Sequence, residues 1–88
     1  MNKLLKELGI NYPGEYAASG SYIVNIPDSN AFGKVYSLLD NSDLVYNLED
    51  NDLIGEESVS VMYTNDEFLL NLIMDMDSEK YQLVVTRV

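Results

Sequence analysis

Apolar residues recur along this chain with two distinct periods. Between residues 29 and 40 they fall at Phe32, Val35, Tyr36 and Leu39, the i, i+3, i+4, i+7 spacing that lines one face of a helix. Asp28 or Ser29 is placed to cap its start. Gly33, inside the helix, is expected to mark a close approach to a neighbouring layer. A second, shorter helix is expected over 3–8, where Leu4, Leu5 and Leu8 share a face, Asn2 caps the start and Gly9 stands at the stop. Elsewhere the pattern alternates. Tyr22, Val24 and Ile26 oppose Ser21, Ile23 and Asn25 before Pro27 ends the run. Leu44, Tyr46 and Leu48 oppose Val45, Asn47 and Glu49, and Val59, Val61 and Tyr63 oppose Ser58, Ser60, Met62 and Thr64.

The last two strands read as a hairpin closed around Ser78-Glu79. Setting Asp77 opposite Lys80 places Met76, Met74 and Leu72 against Tyr81, Leu83 and Val85. The other side then pairs Leu69, Asn71, Ile73 and Asp75 with Val88, Thr86, Val84 and Gln82. That side is only half polar, which predicts partial cover by a helix, a loop or another chain. Residues 11–20, with Pro13-Gly14 and Ser19-Gly20, read as a loop in which Tyr12 and Tyr16 either pack down or serve recognition. Residues 49–57 read as a second loop. The order is αβαββββ, predicting one α+β domain over 1–88: a two-layer fold with a mainly antiparallel five-stranded sheet, the longer helix packed on one face, and a short N-terminal helix.

Charge changes this picture most. The chain has 15 acids against five bases, a net charge of −10 on 88 residues. Residues 35–79 hold twelve of the acids and no Lys or Arg, while Lys3, Lys6, Lys34, Lys80 and Arg87 lie outside. A field of one sign repels nucleic acid and anionic membranes and steers basic surfaces inward. Direct nucleic-acid binding, which draws its affinity from basic side chains on phosphates, is therefore not expected. The apolar runs within 35–79 mark a folded surface rather than an acidic tail.

Composition also removes most catalytic chemistry. There is no Cys and no His, so thiol catalysis, thiolate metal sites and the commonest general base are all missing. No glycine cluster precedes a helix in the manner of a phosphate loop. The run Asp50-x-Asp52-x-Ile54-Gly55 follows the first half of a calcium loop, but its fifth place is Ile54 and its twelfth is Val61 instead of a bidentate Glu. Neither enzyme activity nor a cofactor or metal is expected. With no leader-like start and no long apolar run, the expected location is the cytoplasm.

What remains is the acidic surface. Candidate partner-binding residues are Asp40, Asp43, Glu49, Asp50, Asp52, Glu56, Glu57, Asp75 and Asp77, with Leu53 and Ile54 as an apolar pair among them. Alternate strand positions lie about 6.8 Å apart and phosphates along one DNA strand advance about 3.4 Å, so carboxylates such as Asp75 and Asp77 approximate a phosphate row. Leu53-Ile54 either enters a pocket of the partner as an anchor or folds back over the sheet edge. In size and charge the chain is similar to small acidic DNA-mimic inhibitors, among them uracil-DNA glycosylase inhibitors and some phage anti-CRISPR and anti-restriction proteins, though it shares no motif with them. That resemblance implies an inhibitor occluding a basic nuclease or other nucleic-acid-binding enzyme. An immunity protein or antitoxin for a basic toxin, and a homo-oligomeric component using the outer sheet face, are the alternatives.

Overall fold

The computed structural model describes residues 2–48, 53–54, 58–75 and 78–88. Its elements run α1 (Asn2–Leu8), β1 (Gly14–Tyr16), β2 (Tyr22–Ile26), α2 (Ser29–Asp40), β3 (Tyr46–Leu48), β4 (Leu53–Ile54), β5 (Ser58–Thr64), β6 (Phe68–Asp75) and β7 (Lys80–Arg87). The α+β class is as expected. The sheet is antiparallel in the order β1-β2-β7-β6-β5-β3, with β4 joining β5 on the edge that β3 also occupies. The five expected strands are present, and two short ones add to them. β1 arises inside the expected 11–20 loop because Glu15 comes opposite Ile23 and Asn25 donates its N–H to the Pro13 carbonyl at 2.9 Å. Such brief strands owe their conformation to the pairing rather than to a pattern of their own.

The longer helix starts as its sequence directs: Asp28, with extended backbone, accepts the Ala31 N–H at 2.8 Å. Its inward face is Ala31, Val35 and Leu39, with Phe32 half-buried against Tyr81 at a ring-centroid separation of 5.6 Å. Gly33 departs from expectation. It sits on the solvent side with open space where a Cβ would project, so it marks no close approach. The short helix α1 ends in a Schellman arrangement: Gly9 adopts φ 85° while Gly9 and Ile10 donate to the Lys6 and Leu5 carbonyls. This turns Ile10 inward beside Leu4, Leu5 and Leu8, so a helix too short to persist alone is held by its docking.

Both helices cover the same face of the sheet. Val24, Leu70, Leu72, Leu83 and Val85 are fully buried beneath them, each contributing about 1.5–3 kcal/mol by leaving water. The β6–β7 register corrects the expected one: Asp75, not Asp77, opposes Lys80, and Leu72 opposes Leu83. Ser78-Glu79 lacks the residues that a two-residue primed turn requires, and Glu79 adopts φ 53°. Because the slip is by two residues, every side chain keeps its face. No helix among the described residues is long and apolar enough to cross a membrane.

Candidate functional site

The expected binding residues divide between two ends of the sheet. Ile54, Ser58, Asp75 and Lys80 lie in one cross-strand row at the end where β5 begins. Asp40 and Asp43 lie at the other end, where α2 finishes and the chain turns into β3 opposite Thr64. The seven residues of β5 separate these ends, a span of about 20 Å. Asp40 and Asp43 therefore do not share a patch with Asp75. Glu49, Asp50, Asp52, Glu56, Glu57 and Asp77 lie outside the described residues, as does Gly55 of the calcium-loop-like run. Leu53 and Ile54 correct the loop expectation: their backbone forms β4, paired with Val59 and Ser58 along the sheet edge.

The end at which β3 begins has features that the acid count alone did not reveal. After Asn41 closes α2 through the Ser37 carbonyl, Leu44 donates its N–H to Ser42 Oγ at 3.1 Å, and the chain enters β3 with Val45 turned inward. Alternation grouped Leu44, Tyr46 and Leu48 on one side and Val45, Asn47 and Glu49 on the other. The structure buries Val45 and leaves Leu44 at 44% and Tyr46 at 52% exposure. Tyr36, assigned to the buried stripe of α2, is 42% exposed at the same end. Three large side chains thus flank the β3 edge in solvent, Tyr36 from the helical layer and Tyr46 from the outer side of the sheet.

Acids accompany them. Asp66, at φ 74°, sits on the β5–β6 turn, which Asn65 Oδ1 fastens by accepting the Glu67 and Phe68 N–H groups at 3.1 and 2.7 Å. Thr64 Oγ1 accepts the Asp66 N–H at 3.2 Å and itself donates to the Phe68 carbonyl. The carboxylate so placed accepts the Tyr46 hydroxyl at 2.7 Å, which holds that phenol above its ordinary pKa. Among the described residues no Lys or Arg forms an ion pair with Asp40, Asp43 or Asp66, whereas Glu67 meets Arg87 at 3.6 Å.

Beneath this edge lies Tyr63, 1% exposed and paired across the strands with Asn47. Its hydroxyl is buried and has no hydrogen-bond partner among the described residues. Burial first, then the neighbouring Tyr36 and Asp40, push its pKa above 10.0; the Asn47 carboxamide opposes the rise without reaching hydrogen-bond geometry. Asn47 instead donates to the Met62 carbonyl at 3.4 Å.

The remaining aromatics of interest divide: Tyr12 packs on the core, while Tyr16 is 61% exposed and meets Tyr22 edge-on. A cleft of about 570 Å³ between the helices, lined by Glu7, Leu8, Lys34, Leu38 and Asn41 among others, contains none of the expected binding residues. No three acidic, His or Cys side chains among the described residues group closely enough to hold a metal ion. Comparison with known proteins returns no family model, no curated protein and no solved structure that matches this chain.

Proposed function

We propose that this chain is a small acidic inhibitor that docks the β3 end of its fold onto a basic, nucleic-acid-binding surface of another protein, a nuclease being the representative case, and occludes it. The observation carrying this reading is the combination at that end of exposed Tyr36, Leu44 and Tyr46 with Asp40, Asp43 and Asp66, none of these acids ion-paired among the described residues. Aromatic and aliphatic anchors supply the contact area that fixes a complex, and rim acids raise the rate of encounter with a basic partner. Tyr46 is stiffened by its bond to Asp66, so less side-chain freedom is lost on docking. In sequence, Glu49, Asp50 and Asp52 follow directly after Leu48, the last residue of β3.

Affinity capture from a native lysate identifies the partner, and binding kinetics with wild type, Asp40→Asn/Asp43→Asn/Asp66→Asn and Tyr46→Ala then test the site. The expected partner is basic and is displaced by duplex DNA. Neutralising the three acids lowers the association rate about tenfold or more at low salt, and Tyr46→Ala chiefly speeds dissociation. An association rate indifferent both to these neutralisations and to ionic strength would overturn the assignment.

A further inference from the structure

The outer face of the sheet, away from both helices, has the opposite chemistry. Along β6 burial alternates residue by residue: Leu70 and Leu72 point under the helices, and Leu69, Asn71 and Ile73 point away. Register carries the same outward parity to Met62 on β5, Val84 on β7 and Ile23 on β2. Ile23, Met62, Leu69, Ile73 and Val84 are each only half-buried, with neither helix over them. In the middle of this surface Ser60 Oγ donates to Asn71 Oδ1 at 2.5 Å, so covering the pair does not strand the hydroxyl donor.

We infer that this face is the interface of a homodimer, in which two copies pack their sheets against one another about a two-fold axis. Charge favours a second copy as the occupant. In a chain of net charge −10, three successive outward rows across β2, β7, β6 and β5 contain no Asp, Glu, Lys or Arg, and the next row opposes Asp75 to Lys80. A basic partner finds no acid within these four strands, Glu15 standing only at the β1 edge of the middle row, whereas an identical neutral surface is self-complementary, as an isologous contact demands. Size sets its strength. Four strands about 4.8 Å apart and three outward rows about 6.8 Å apart make a patch roughly 20 Å square, about 400 Å² per copy, and a pair buries about 800 Å², the size of a weak, concentration-dependent dimer.

Association of two chains of like net charge is opposed by repulsion that salt screens. The dimer therefore strengthens as ionic strength rises, the reverse of the response expected for docking on a basic partner, and the two readings stand or fall separately. The test is sedimentation or light scattering of the full chain at up to about 100 µM, enough to populate even a weak dimer, at low and high salt. The expected mass is twice 9.9 kDa, falling to the single-chain value in Ile73→Lys and Val84→Lys. Because the chain has no cysteine, a near-isosteric Val84→Cys variant gives an independent readout: a bismaleimide spanning the about 10 Å between packed sheets links two copies, while Ser19→Cys on the β1–β2 loop does not link. A monomer at every concentration and salt, or a dimer that survives both lysine variants while Val84→Cys fails to link, overturns the inference. Should the lysine variants lose their fold by circular dichroism, the Val84→Cys result decides alone.

Discussion

Replacing Tyr63 by Phe removes one oxygen from beneath the β3 edge and nothing else. That hydroxyl is buried without a partner among the described residues, and a buried hydroxyl left unpaired costs about 1–3 kcal/mol relative to water. Against this, Phe leaves an oxygen-sized gap and forfeits its dispersion contacts, a loss of a few tenths of a kcal/mol. The net expectation is a gain of about 1 kcal/mol at neutral pH, or about 4–8 °C in Tm for a chain of this size. Alkaline titration adds a second signature. The unfolded phenol ionises near 10.0 and the folded one above it, so in that window the native state retains a proton that the unfolded chain has released. Stability contributed by this group is thus intact below pH 10 and falls as pH rises through the folded pKa. Urea melts of wild type and Tyr63→Phe at neutral pH and between pH 9 and about 11 measure both effects, and the difference between the proteins should widen only above pH 10. A variant less stable than wild type by 1 kcal/mol or more at neutral pH would show that the hydroxyl is satisfied, refuting the account of this position.

Two further substitutions address the helix that carries Tyr36 and Asp40 to the β3 end. Gly33→Ala places a methyl in open space on a helical position, so chemical denaturation should show a gain of about 0.5–1 kcal/mol; a loss would mean that the position meets the sheet after all. Asp28→Ala deletes the acceptor of the Ala31 N–H and should cost about 1 kcal/mol in the same assay, with Asp28→Asn recovering most of it.

Legibility from sequence followed how far each element carries its own signal. The strands β2, β5, β6 and β7 and the helix α2 are long enough for periodicity to declare them, and the two sides of each strand were grouped as found, while the α2 stripe included Tyr36, which solvent reaches, and omitted Ala31, which the core buries. The strands β1 and β4, three and two residues long, become extended only because β2 and β5 offer them hydrogen bonds, which no local pattern records. The hairpin slipped for a related reason. Shifting the pairing by two residues leaves the apolar match intact, so the side chains could not distinguish the registers and the turn decided. At the candidate site the acids were visible as a composition, but the exposure of Leu44 and Tyr46 was not. Alternation marks two sides of a strand without saying which is buried, and here the smaller Val45 took the core.

The structure gives a physical reason why charge and apolar surface occupy different places on this fold. The central strands β6 and β7 have neighbours on both sides, so a charge there would stand on a surface hemmed in by other strands and lose part of its hydration. Three successive outward rows of these strands are accordingly neutral, with Ser60 and Asn71 bonded to each other, and charge returns only at the end of the hairpin, where Asp75 opposes Lys80. Asp40, Asp43 and Asp66 stand instead at a helix end, a connection and a turn, where solvent reaches them and the edge strand β3 brings exposed aromatics alongside. An acid moved from that edge into the outward rows of the sheet would weaken the neutral surface without strengthening the β3 end. The two proposed contacts nonetheless meet along β5, because Tyr46 continues the outward row of Thr64 and Leu69, so a substitution at Tyr46 bears on both whereas one at Asp40 or Asp43 bears on the proposed partner contact alone.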